Sequence, residues 1–422
     1  MRLFLVAGLL VTSLCALSQS IPVISQPEVH RIEQTLASDD MQGRKVFTPG
    51  IEKAASFIEK EFKKAGLVPL TGYAGFDQSF SMVDPQSVSV TATLDGSPVD
   101  KKNIVVFSVE NSLNIGAEDH YRKIIVKTSD EFTAAYARYM NSKENVILLV
   151  DTSLIKRFTR LASRHMPQFR SVGNRIFILT AWDPKQFRIH YEQKSKNQVL
   201  TNLIGMIPGK SRPEEWVVFS AHYDHLGIGQ PDASGDSIYN GANDDASGTT
   251  AIIALANYFI THRSNERTLV FAAFTAEEIG EFGSAYFATK IDPNKIVAMF
   301  NIEMIGTQSR WGKNSAYITG YEKSDMGAIL QGNLLGTSFR FYPDPYPEQA
   351  LFLRSDNASL AKLGVPAHTI STSKMDSEPY YHTQGDDLET LDLENMTEII
   401  RAIALSAGNI ISGQQTPVRV KN

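Results

Sequence analysis

Three apolar runs in the second half of the chain each lead into side chains that bind metal ions. Residues 216–221 run into His222, residues 268–274 lead to Glu277 and Glu278, and residues 296–302 run into Glu303. Each run is of strand length and predominantly apolar rather than alternating, which is the pattern of a strand buried on both faces. Helical segments separate the runs, the clearest being the amphipathic stretch 250–260. Strands alternating with helices predict an α/β fold, with a mostly parallel central sheet and helices on both faces. In such sheets ligands bind beyond the carboxyl ends of the strands. Metal-type donors at that end of three separate strands therefore predict one site at one rim of the sheet.

The rest of the chain reads differently. Residues 28–36 and 50–65 space apolar side chains three and four apart, and Gly66 supplies a C-terminal stop. Between residues 81 and 196, short β-rich runs (88–94, 104–109, 123–126, 146–150 and 175–180) alternate with polar segments, without a catalytic motif. They predict a smaller β-rich subdomain, structural or lid-like, inserted between the two parts of the main domain, 21–80 and 197–422. Residues 1–20 have the form of a secretory signal: Arg2, an apolar run over 3–17, then small residues at Ala16, Ser18 and Ser20. That run is shorter than the ~20 residues of a membrane-spanning helix. The expectation is an exported protein, periplasmic or extracellular, with no membrane association after signal removal. A formal charge of −5 lacks the basic excess on which nucleic-acid binding depends, so no nucleic-acid partner is expected. Cys15, the single cysteine, falls in the signal, so a metal site must be built from imidazole and carboxylate.

Candidate donors cluster in five motifs. In SAHYDHLG, Asp224 follows His222 closely enough to hold its second ring nitrogen, which fixes the tautomer of a liganding imidazole. His225 is a further candidate ligand or an ordinary loop histidine. NGANDDASGT sets Asp244 and Asp245 before a helix; capping explains one aspartate, and Asp244 is assigned to bridge two cations with its two oxygens. TAEEIGEFGS places two glutamates in the turn after a buried strand. Hydrolysis at a metal centre needs one carboxylate as ligand and another off the metal to accept a proton, so Glu278 is read as ligand and Glu277 as general base. Glu303 in NIEMIG ends a strand so apolar that a carboxylate there costs several kcal/mol unless paired or bound to metal. His382 lies in the polar loop EPYYHTQGDDLETL, where Asp386 and Asp387 read as solvated. Nitrogen and oxygen donors without sulfur suit a hydrolytic pair of zinc ions, two per chain, and manganese or cobalt share that preference. Two such ions about 3.5–4 Å apart can share and activate a water.

With these motifs in place the chain resembles metallopeptidase family 28, the zinc aminopeptidases related to glutamate carboxypeptidase and glutaminyl cyclase. The likeness covers MQGRKVFTPG and nearly everything from TNLIGMIPG onward, but not clearly the insertion. It implies a zinc-exopeptidase sandwich acting on peptides with a free N-terminus. His222, Asp244 and Glu303 match the positions serving one zinc; Glu278 and His382 match those completing the other, with Asp244 between. Glu277 matches the general base, and Tyr381 a tyrosine that stabilises the oxyanion. The family often has aspartate where this chain has Glu303. Three alternatives share the fold: a one-zinc glutaminyl cyclase, which typically lacks the second aspartate present here as Asp245; an inactive receptor-like protein, which typically loses ligands; and a carboxypeptidase for acidic dipeptides, for whose basic pocket Arg310 and Arg354 are candidates.

Overall fold

The computed structural model describes residues 23–140, 142–163 and 166–421. The signal expected over 1–20 lies outside them. Helices α1 (Gln26–Leu36) and α2 (Pro49–Ala65) form where the 3.6-residue spacing places them, each with a proline in its first turn. Gly66 ends α2 in the left-handed conformation, φ 85°, which needs no Cβ clash to be relieved.

Strand β1 (Asp77–Leu94) then carries the chain away from the main body. Strands β2 (Ile104–Phe107), β3 (Arg122–Val126), β4 (Val146–Val150) and β5 (Arg175–Leu179) make a separate sheet in the order β2-β5-β4-β3. Neighbours β3, β4 and β5 are parallel, and parallel neighbours need crossovers. Helices α3 (Ser129–Tyr139) and α4 (Ile155–Ala162) provide them, so the insertion contains helices that its β-rich pattern did not announce. A capping box between Thr128 and Glu131 starts α3, a T-x-x-E signature present in the sequence. Strand β6 (Phe187–Ile207) returns antiparallel along β1.

The main sheet is completed by β7 (Arg212–His222), β8 (Arg267–Phe274), β9 (Ile296–Ile302), β10 (Ser315–Ile318), β11 (Arg340–Pro343) and β12 (Ala367–Ser371). Its strands follow the order β11-β10-β12-β9-β7-β8-β6-β1. The expectation of a mostly parallel sheet is corrected: the sheet is mixed. Strands β8, β7, β9 and β12 form a parallel centre. The β10–β12, β8–β6 and β6–β1 pairs are antiparallel. The reason lies in the connections. Only residues 208–211 join β6 to β7, too few for the crossover of a dozen or more residues that parallel neighbours require, so β6 runs against β7 and pairs with β8.

Helices cover both faces of the parallel centre, as the continuous apolar runs require. Every residue of β8 is buried. Leu269, Phe271 and Ala273 pack with α1, α2, α5 (Ser247–His262) and α7 (Leu393–Ser406) on one face, while Val270, Ala272 and Phe274 meet Phe287 of α6 (Phe282–Lys290) and Leu360 on the other. The rigid centre thereby fixes the ends of β7, β8 and β9 relative to one another.

Candidate metal centre

Because β7, β8 and β9 are parallel, their carboxyl ends meet at one rim. His222 is the last residue of β7, Glu277 and Glu278 occupy the turn after β8, and Glu303 follows β9. Asp244 comes from the loop between β7 and α5, and His382 from the loop after β12. The structure brings all five expected donors together. Asp244 stands between the histidines: Oδ1 is 3.1 Å from His222 Nε2, and Oδ2 is 3.2 Å from His382 Nε2. Glu303 Oε1 lies 3.3 Å from His222 Nε2, and Glu278 Oε2 lies 3.2 Å from His382 Nε2. Glu303 thus reaches the same imidazole as Asp244. Its other oxygen accepts a hydrogen bond from Ser355 Oγ at 2.7 Å.

His225, left open by the sequence, belongs to this cluster. It is 2% exposed, with Nδ1 2.7 Å from Glu278 Oε1 and 3.9 Å from Asp244 Oδ2. Two donor groups result, His222–Asp244–Glu303 and His225–Asp244–Glu278, each with its ligand atoms within 4.8 Å of one another. Tyr381 stacks on His382 with ring centroids 3.9 Å apart and lines the same pocket as Glu277, Glu303 and Asp244.

Asp224 works through two groups. Its backbone carbonyl lies 3.0 Å from His222 Nδ1. A carbonyl only accepts, so Nδ1 carries the proton, and Nε2 is the nitrogen that faces the carboxylates of Asp244 and Glu303. Its carboxylate accepts the backbone N–H groups of Glu277 at 3.1 Å and Glu278 at 3.3 Å, which fixes the turn bearing both glutamates.

Asp386 was read as solvated, and the structure corrects this. It is 1% exposed, and its oxygens accept the N–H groups of Asn243 at 2.8 Å and Asp244 at 3.0 Å. Asp387 is half-buried and accepts from Asn240 Nδ2 at 2.9 Å. Asp245 braces the other side of the loop: its Oδ1 accepts from Gly248 N and Met304 N, both at 3.0 Å, linking the start of α5 to the end of β9. Arg44 completes the frame from beneath. It is fully buried and donates to the carbonyls of Leu36, Tyr223, Asn240, Gly241 and Asp244. Nothing in the local pattern of Arg44 or Asp386 marks them as interior, because their partners lie up to hundreds of residues away.

The electrostatics of the centre call for cations. Among the described residues, the ion-pair partners of Asp244, Glu278 and Glu303 are all imidazoles. Burial pushes Asp245, Glu277 and Asp356 well above the ordinary carboxylate range, and neighbouring carboxylates push each further. Crowded buried carboxylates without lysine or arginine partners are costly unless metal ions neutralise them. Imidazole nitrogens and carboxylate oxygens are donors that zinc accepts, so the residues present fit that ion. If Asp386 positions the Asp244 loop for metal, Asp386→Asn should weaken metal affinity about 10- to 100-fold, since its amide turns a donor toward a backbone N–H. Chelator-competition titration measures this, and an unchanged affinity removes Asp386 from the centre.

Residues 202–407, just under half of the chain, match the model of peptidase family M28. It is 28% identical over 205 residues to a probable leucine aminopeptidase of Trichophyton verrucosum, covering 47% of this chain and 54% of that protein. It is 25% identical over 236 residues to aminopeptidase YwaD of Bacillus subtilis, covering 53% of this chain and 48% of that one. The chain thus spans about half the length of the curated relatives it matches. In fold it is similar to a zinc aminopeptidase from Bacillus subtilis, with a TM-score of 0.56 at 16% identity over 94% of this chain and 98% of that one. An aminopeptidase from Aneurinibacillus sp. strain AM-1 gives a TM-score of 0.54 at 17% identity, over 92% and 94%.

Proposed function

We infer that the protein is an exported aminopeptidase that holds two zinc ions and releases N-terminal amino acids from peptides. The observation that carries the reading is the carboxylate of Asp244, whose two oxygens face different imidazoles, His222 and His382, each backed by a further glutamate. One ion is assigned to His222, Asp244 and Glu303. The other is assigned to Asp244, Glu278 and His382, with His225 beside them. The chemistry zinc supplies when held here is polarisation of the scissile carbonyl and acidification of a water molecule.

The chain's own residues account for the remainder. The carboxylates lining the pocket suit the amino group of a substrate's free N-terminus. Glu277 accepts a proton from the attacking water as the new C–O bond forms, then returns it to the leaving amine as the C–N bond breaks. Tyr381, on the pocket wall, is assigned to donate to the oxyanion. Export belongs to the same reading and rests on the signal-like composition of residues 1–20. Among the described residues, no helix is long and apolar enough to cross a membrane.

The test is a set of N-terminally free, N-blocked and N-glutaminyl peptides assayed with and without chelator. Chelator-sensitive cleavage confined to free N-termini is expected. Cyclisation of the glutaminyl peptide indicates a glutaminyl cyclase instead, and inertness toward all three indicates a binding protein.

A further inference from the structure

The pocket in front of the carboxylate cluster is lined by both signs of charge. Glu277, Glu278 and Glu303 line it, and among the described residues its one lysine or arginine is Arg354. Arg354 follows a short 3₁₀ turn, Leu351–Leu353, and its N–H donates to the Leu351 carbonyl at 3.1 Å. The next residue, Ser355, donates to Glu303 Oε2 at 2.7 Å. The backbone of Arg354 is therefore anchored next to the residue that hydrogen-bonds a proposed ligand, while its side chain is exposed. That side chain makes one long hydrogen bond, 3.4 Å to Gln349 Oε1, and pairs with no carboxylate among the described residues. Arg310, the other candidate from the sequence, differs: its guanidinium lies over Trp311 and Tyr346, and it does not line the pocket.

A guanidinium presents a planar fork of donors matched to a carboxylate, and it keeps its charge at any working pH. Here it stands in a chain of net charge −5, beside an acidic centre, with no carboxylate of its own. The walls it shares with the cluster, Tyr317, Leu351 and Met375, are apolar, and hydroxyls of Ser371 and Ser373 add polar contacts. A ligand in this pocket meets the carboxylates of the cluster and a fork of positive charge that no carboxylate of the described residues pairs.

The geometry points to Arg354 as the group that recognises a carboxylate on the substrate. Preferred peptides then carry one near the scissile bond, either the side chain of an N-terminal Asp or Glu or the C-terminal carboxylate of a dipeptide. The inference rests on the aminopeptidase reading and specifies its substrate class. It contrasts with the leucine named for several relatives.

The experiment uses zinc-loaded protein and four substrates: Glu-Ala-Ala-amide, Leu-Ala-Ala-amide, Leu-Ala and Leu-Ala-amide. The first pair isolates a side-chain carboxylate and the second a terminal one. In one of the pairs the acidic member is expected to be favoured in kcat/KM by on the order of 10- to 100-fold, the range of a charge-assisted bidentate contact. In Arg354→Gln that ratio is expected to fall toward one, mainly through KM, and Arg354→Lys should restore part of it. An unchanged ratio in Arg354→Gln, or preference for the neutral member of both pairs, overturns the assignment. Calorimetric binding of free glutamate and leucine separates this inference from the reading beneath it. If glutamate binds more tightly to the parent protein but not to Arg354→Gln, and no peptide is cleaved, the aminopeptidase reading fails and the Arg354 assignment stands.

Discussion

Glu277→Gln is expected to lower kcat by about 10²–10⁴-fold, the usual contribution of a positioned general base, while leaving metal content unchanged. The separation of effects follows from the turn after β8. Glu278 points at His225 and His382, at 2.7 and 3.2 Å, and so belongs to the donor set. Glu277 makes no such contact with the cluster histidines, yet it lines the pocket, and its backbone is pinned by Asp224 at 3.1 Å. An amide is nearly the same size as the carboxylate and leaves that pinning intact, but it cannot accept the proton of the attacking water. Steady-state kinetics alongside metal analysis of the same samples provide the check. Residual turnover within tenfold of the parent, or loss of metal in step with activity, would remove Glu277 from the role of base.

Arg44→Met should destabilise the fold by about 3–5 kcal/mol, because several buried carbonyls lose their donor at a cost of about 1–3 kcal/mol each. Arg44 is fully buried, and its guanidinium satisfies carbonyls from the end of α1, the strand end at Tyr223 and the loop that carries Asp244. Methionine fills part of the volume but leaves those carbonyls without their donor. Burial already pushes neighbouring Glu33 up to about 8, so at neutral pH it is largely protonated. It cannot take over the role of Arg44, because a carboxyl offers at most one donor. Urea unfolding of the metal-free protein measures the difference; a midpoint shift worth less than 1 kcal/mol would show that the loop holds itself. The two substitutions differ in kind. The first leaves structure and removes chemistry, and the second removes the support on which the chemistry stands.

Much of this site could be read in the sequence because its donors follow strands whose apolar character is local. Residues 296–302 are strand from end to end, as their composition requires, and Glu303 comes next. His222 closes β7, and the two glutamates follow β8 within four residues of its end. The parallel arrangement of these strands also follows from local pattern, since helices separate them. What failed was extrapolation beyond that unit. The antiparallel flank depends on the short link between β6 and β7, and the insertion's crossover helices depend on strands pairing parallel there.

The sequence by itself therefore determined the α/β class, the strand-end position of the donors and a donor chemistry limited to nitrogen and oxygen. Only the tertiary structure decided that His225 joins the cluster, that Asp386 is buried beneath Asp244, and that Arg354 rather than Arg310 lines the pocket. The physical reason is range. Burial of a strand is set by residues two apart, whereas the partner of a polar loop side chain is set by whichever distant segment packing brings against it.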